Sequence, residues 1–295
     1  MRRRFLLVAT LIFVIFSSAP QSGRLAAQAP PPASRLTPVT APSGTEGLGA
    51  TWYTVPAPNG RLILTAVFDP RPDPTLPSPA IVLLHGSHGF AQEYVTLAQQ
   101  LAQQTGYVTA AGCWFGGAHQ DASDITPIAC PQGPDFVGST AAAWPVVDAL
   151  DTAVSTYAGG SPIILFGHSR GAEVAVQMAS NGYSFQAVVS NSGVYDEPSR
   201  FDQPTPYSSI GGLKGSLLVL HGTADPTVPI AEAERYLTGV QQVPGTVSLA
   251  AHCYTGGGHD SVLHPTSAIH ADAVQRIAQF VLGQLPYTSD CPPPS

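Results

Sequence analysis

Ile163-Ile164-Leu165-Phe166-Gly167-His168-Ser169-Arg170-Gly171-Ala172 reads as a strand, a corner and the start of a helix. Ile163–Phe166 is apolar without alternation, the pattern of a strand covered on both faces. Ala172–Ser180 follows with helical composition and ends at Asn181-Gly182. Gly167 and Gly171 flank a serine between the two. A strand that turns directly into a helix leaves Ser169 on a sharp corner, needs glycine for close packing, and aims the positive end of the helix dipole at the hydroxyl. G-x-S-x-G is common on its own. Between a strand and a helix it predicts a nucleophilic serine rather than a structural turn.

The same alternation extends outward from this corner. Strands are expected at Trp52–Val55 and Leu62–Phe68, joined by a Pro58-Asn59-Gly60 turn, and at Ala80–Leu84, Tyr107–Ala111, Ala187–Ser190, Leu217–Leu220 and Thr246–Ala251. Helices are expected over Gln92–Gln104, Pro145–Tyr157 with the proline in the first turn, Ala231–Leu237 and Ala268–Leu282. A long irregular loop runs from Gly112 to Gly138. Continuous Val/Ile/Leu strands alternating with helices predict a doubly wound, mostly parallel sheet flanked by helices. Its ligand site should lie outside the carboxyl ends of the strands. Ser192–Gly212 is too short for a large cap domain.

A serine hydroxyl needs a base, and an imidazole base needs a carboxylate to hold it. The chain order expected after such a corner is serine, acid, histidine. Asp225 follows a strand in His221-Gly222-Thr223-Ala224-Asp225-Pro226, and His259 follows the next in Gly256-Gly257-Gly258-His259-Asp260. Asp196 and Glu197 are the alternative acids, and Asp225 could instead merely cap an Asp-Pro turn. His252, His264 and His270 are the local rivals of His259 among nine histidines. Two backbone N–H groups should form the oxyanion hole. Arg170 supplies one. The other comes from His85-Gly86-Ser87-His88-Gly89, with Ser87 first and His88 second. His88, Trp114, Phe115 and Tyr195 are cleft candidates; packing in the core is the competing reading for the aromatic residues.

Charged residues make up only 11% of the chain, against about 25% in typical domains. The formal net charge is −7, and Lys214 is the one lysine, so no basic surface for nucleic acid is present. Arg2, Arg3 and Arg4 precede the apolar stretch Phe5–Phe16, which is shorter than the ~20 residues of a membrane span. Residues 1–29 therefore read as an export signal, with an uncleaved anchor as the alternative, and the mature chain should have no membrane span. Residues 30–48 read as a disordered Pro/Ala-rich tether, and 49–295 as the folded domain. Cys113, Cys130, Cys253 and Cys291 form an even set in an exported chain, which implies disulfides. Three pairings are possible; Cys113–Cys130 and Cys253–Cys291 close the shortest loops. None of the four sits in a metal-ligand spacing.

Leu84-His85-Gly86-Ser87-His88-Gly89, Gly167-His168-Ser169-Arg170-Gly171, His221-Gly222-Thr223-Ala224-Asp225-Pro226-Thr227-Val228-Pro229 and Gly258-His259 together resemble the dienelactone-hydrolase-like branch of the α/β hydrolases, over about Thr51 to Leu285. The resemblance implies the α/β-hydrolase fold, a triad of Ser169, Asp225 and His259, and no metal or cofactor. It departs at the corner, where the prototype uses cysteine and this chain has Ser169, and after Tyr107–Ala111, where Gly112-Cys113-Trp114-Phe115-Gly116 replaces an aspartate with aromatics. The Asp225 segment is also similar to prolyl-oligopeptidase-type peptidases. The pair Cys253 and Cys291 resembles the C-terminal disulfide of secreted cutinase-like polyester hydrolases. The expected activity is carboxylic-ester hydrolysis through an acyl-enzyme, on a small-molecule or polymeric ester. A serine peptidase acting on short peptides and a non-catalytic binding module on the same fold are the alternatives.

Overall fold

The structure is a computed structural model that describes residues 35–58, 60–116, 125–130, 140–195, 205–243 and 247–291. The expected export signal, residues 30–34 of the tether, Asn59, Asp196, Glu197 and Thr246 lie outside the described residues, as do 117–124 and 131–139 of the long loop.

Among the described residues, strands β1 (Thr37–Pro38), β2 (Thr51–Pro56), β3 (Leu62–Phe68), β4 (Ala80–Leu84), β5 (Val108–Gly112), β6 (Ile163–His168), β7 (Ala187–Asn191), β8 (Gly215–Gly222) and β9 (Val247–Tyr254) form one sheet. Their order is β1-β2-β3-β5-β4-β6-β7-β8-β9. β1, β2 and β3 run antiparallel and β3 meets β5 antiparallel, while every pair from β5 to β9 is parallel. The chain order reverses at β4, which lies between β5 and β6. That reversal opens a crevice at the carboxyl ends of β4 and β6.

Helices α1 (Gln92–Thr105), α2 (Thr140–Tyr157), α3 (Arg170–Ser180), α4 (Ile230–Gln242) and α5 (Ala268–Val281) cover the sheet. Alternate strand residues feed two cores. Val82, Leu84, Leu165 and Val219 pack with Leu150, Val174, Met178 and Leu237 of α2, α3 and α4. Ile81, Leu83, Phe166 and Leu220 pack with Val95, Leu101, Ile277 and Phe280 of α1 and α5. Burial on both faces is why these strands read as continuous apolar runs. No large cap domain interrupts the described residues.

Two expectations change. α2 begins at Thr140, so Pro145 lies inside the helix rather than in its first turn. Ala141-Ala142-Ala143 are strong helix formers that extend it toward the N-terminus. Within the stretch read as a tether, Thr37 and Pro38 pair with Thr54 and Tyr53, and Thr45 is buried. Packing therefore starts before residue 49, because Leu36, Ala41 and Leu48 find apolar surface to cover.

Disulfides join Cys113 to Cys130 and Cys253 to Cys291. The second lies beside β9, where Ala251 N donates to Thr288 O at 2.9 Å and Asp290 N to Ala251 O at 3.2 Å. Among the described residues no helix is long and apolar enough to cross a membrane.

Candidate active site

The corner after β6 has the geometry its sequence demands. Ser169 adopts φ 52° and ψ −117°, a conformation that costs a non-glycine residue energy and is characteristic of functional sites. Its N–H donates to Asn191 O at 2.9 Å, tying the corner to β7. A Cβ at Gly167 would collide with the Gly171 carbonyl, and one at Gly171 with the Leu84 carbonyl. Both glycines are therefore required by close approach.

Asp225 and His259 meet above the neighbouring strand ends. His259 Nδ1 donates to Asp225 Oδ2 at 2.7 Å, with the carboxylate fully buried and the imidazole 11% exposed. The other oxygen, Oδ1, accepts from Thr227 N at 2.8 Å and Val228 N at 2.9 Å. Turn capping and holding the histidine are thus done by one residue, one oxygen each. Burial opposes ionisation of Asp225, but His259 and the two backbone donors outweigh it and leave the carboxyl below its usual range. Two of the three rival histidines are engaged elsewhere. His252 pairs with Asp290 at 2.6 Å, and His270 is bonded to Val262 O and Gln100 Oε1, both at 2.6 Å.

The His259 ring lies 4.9 Å, centroid to centroid, from that of His168, the residue preceding Ser169. No hydrogen bond between Ser169 Oγ and His259 is present among the described residues. Gly86 passes directly over the corner: a Cβ there would stand 3.1 Å from Ser169 Cβ. Ser87 and His88 follow Gly86 directly, and the His88 ring lies 5.5 Å from that of His168. Ser192, with φ 49°, donates from Oγ to the His259 carbonyl at 3.0 Å and so fixes that loop from the end of β7.

Sequence reasoning missed a partly buried polar cluster beside these residues. His168 Nε2 is 2.9 Å from Asp260 Oδ1, and His168 Nδ1 is 2.7 Å from Asn191 Nδ2. His88 Nδ1 lies 3.9 Å from the same Asp260 oxygen, and its Nε2 is 2.7 Å from Tyr94 Oη. Burial pushes His88 down to about 3 and lowers His168, so both imidazoles are neutral at working pH. Burial also opposes the charge on Asp260, yet the bond from His168 and the nearby imidazoles hold that carboxyl well below its usual range. The adjacency of Asp260 to His259, and of His168 to Ser169, was the only available signal. The near ends of His88, His168 and Asp260 all lie within 4.8 Å of one another, a span a metal ion could bridge.

Three cleft candidates are core residues instead. Trp114 and Phe115 are each 1% exposed, and Trp114 donates from Nε1 to His85 O at 3.1 Å. Tyr195 is fully buried, stacked on Tyr236 at 4.2 Å and bonded to Ser190 Oγ at 2.6 Å. The loop after β5 turns inward, which carries Trp114 and Phe115 under the His85 ring. His88 is largely enclosed by the cluster just described.

A mostly parallel nine-stranded sheet with a serine corner after β6, an acid after β8 and a histidine after β9 defines an α/β hydrolase. The dienelactone hydrolase family matches residues 65–281, and the chain belongs to that family. A sequence search of curated proteins finds no match. Among solved structures the chain is similar to a Klebsiella pneumoniae protein assigned as a dienelactone hydrolase, at 16% identity and TM-score 0.63, covering 80% of this chain and 97% of that one. It is similar to an esterase of Pyrococcus furiosus at 14% identity and TM-score 0.62, covering 84% and 98%. Dipeptidyl peptidase 4 of Porphyromonas gingivalis aligns at 16% identity and TM-score 0.57, over 80% of this chain and 35% of that one. Likeness at these identities is one of fold. The chain is a hydrolase of the dienelactone hydrolase family.

Proposed function

We propose that the protein is an exported carboxylic-ester hydrolase that works through an acyl-enzyme on Ser169. The 2.7 Å bond between His259 and the buried Asp225, beside the strained serine corner, carries this reading. Asp225 fixes the tautomer of His259 with its proton on Nδ1, leaving Nε2 as the base. Nε2 takes the Ser169 proton as Oγ attacks the ester carbonyl. The Arg170 and Ser87 N–H groups receive the oxyanion, with His88 N–H as the second choice for the latter. His259 returns the proton to the departing alcohol, then activates the water that releases the acid. Rotation of the Ser169 side chain brings Oγ to the base, since catalytic contacts commonly tighten only when substrate is bound.

The esterase among the fold neighbours supports ester over amide substrates. The arginines before Phe5–Phe16 and the two disulfides support export. The substrate is a small-molecule or polymeric ester, and the chemistry calls on no cofactor.

Hydrolysis of a short-chain p-nitrophenyl ester by the wild type, abolished in Ser169→Ala together with fluorophosphonate labelling, is the expected outcome. Full activity in Ser169→Ala would sink the serine mechanism. A wild type that neither hydrolyses esters nor takes the label would indicate a binding module. The peptidase among the fold neighbours favours one second reading, cleavage of short peptides, which a higher kcat/KM on the matching anilide than on the ester would support.

A further inference from the structure

We propose that Asp260 is a positioning residue that ties the His259 loop, through His168 and His88, to the serine corner and to the loop after β4. The inference rests on the reading of Ser169 as nucleophile and His259 as base.

The directions of the hydrogen bonds carry it. Gly86 N–H donates to Tyr94 Oη at 3.0 Å, so that oxygen is already an acceptor and its own proton points to His88 Nε2, 2.7 Å away. His88 therefore carries its proton on Nδ1, the nitrogen that faces Asp260 at 3.9 Å, an electrostatic contact longer than a hydrogen bond. On the other side Asn191 Nδ2 donates to His168 Nδ1 at 2.7 Å, so His168 carries its proton on Nε2 and donates to Asp260 Oδ1 at 2.9 Å. The reversed amide would set the Nε2 lone pair against a carboxylate oxygen at that same distance, which is repulsive. The proton orders that start at Gly86 and at Asn191 thus both run toward one carboxylate.

That carboxylate adjoins the proposed base, and its two imidazole partners stand beside the proposed nucleophile and in the oxyanion loop. The chain links the loops after β4 and β9, the last residues of β6 and β7, and the first turn of α1. Its purpose is geometric: a loop after β9 and a corner after β6 belong to separate strand–helix units and need a tie to keep imidazole and hydroxyl in register. A metal ion bridging the trio would need bare nitrogens on His88 and His168 where this pattern puts protons.

Asp260 also bears on charge. His259 is faced by Asp225 and His221 from the end of β8, by His168 from the corner after β6, by His88 from the loop after β4 and by Asp260 on its own loop. The Arg170 guanidinium, from α3, stands 6.0 Å over the Phe115 ring. Asp260 is thus a second anion near the imidazole proposed as base.

The test compares wild type, Asp260→Asn, Asp260→Glu and His88→Phe as full chains, by ester kinetics across pH, circular dichroism and fluorophosphonate labelling. Asp260→Asn should lower kcat about tenfold or more while KM moves less than about threefold. Asp260→Glu should restore part of kcat. If Asp260→Asn does not fold, His88→Phe decides, with an expected loss of about threefold in kcat. An inactive, unlabelled wild type would refute the serine reading itself. A labelled, active wild type whose folded Asp260→Asn keeps kcat within about twofold, or whose Asp260→Glu is no more active than Asp260→Asn, would overturn the positioning role. So would loss of wild-type activity on chelation, which would make the trio a metal site.

Discussion

Two carboxylates border the His259 loop, and they are held in opposite ways. Asp225 is fixed by its own turn: both backbone donors to Oδ1 come from within three residues, and only Oδ2 reaches out to His259. Asp260 is approached by side chains from distant segments, with His168 lying 92 residues away in sequence. The first arrangement makes a rigid local clamp whose single outward bond is available for chemistry. The second makes a junction whose value lies in what it joins. Loss of the clamp should remove a function outright, whereas loss of the junction should loosen several parts at once, each by a little.

Substitutions at the two acids should separate these regimes. Asp225→Asn should lower kcat/KM by about 10⁴-fold with the fold intact, because the amide keeps the turn but presents the wrong partner to Nδ1. A loss below that for Asp260→Asn would erase the distinction between clamp and junction. The corner they serve is tested by Gly171→Ala, whose Cβ would strike the Leu84 carbonyl. It should cost about 3 kcal/mol, read as a fall in Tm of about 9 °C. Cys253→Ser with Cys291→Ser should cost about 3 kcal/mol by releasing a closed loop, with kcat/KM little changed because neither cysteine belongs to clamp or junction.

Acid stability gives the most specific effect. The His88 imidazole is held at about 3 in the folded chain against 6.5 when unfolded, so between those values the unfolded state binds more protons. Its contribution is present above pH 6.5 and is lost as pH falls toward about 3. His88→Phe should flatten the decline of Tm across that window, and an unchanged slope would remove His88 from the junction.

The clamp was legible in sequence because its parts are consecutive: Asp225-Pro226-Thr227-Val228 announces a turn, and Gly256-Gly257-Gly258 announces a loop before His259. The corner was legible for the same reason, since glycines on both sides of Ser169 are a local demand. The strands were legible because burial on both faces leaves uninterrupted apolar runs such as Ala80–Leu84. The junction was not, because nothing in His88, His168 or Asp260 taken singly separates a buried hydrogen-bonding residue from a solvated one. Only the pairing of strands β4, β6 and β9 with their loops brings them together. Trp114, Phe115 and Tyr195 were ambiguous for a related reason: an aromatic beside a loop reads alike whether the loop turns inward or outward.

The tail stapled beside β9 by Cys253–Cys291 bears on how the molecule behaves among copies of itself. Among the described residues β9 is the outermost strand on its side of the sheet, and a bare outermost strand offers unpaired N–H and C=O groups on which another chain can template. The tail occupies part of that ladder at Ala251. Oxidation of one cysteine pair therefore guards colloidal behaviour as well as folding stability, and a reducing compartment would expose a surface poised for strand-to-strand association.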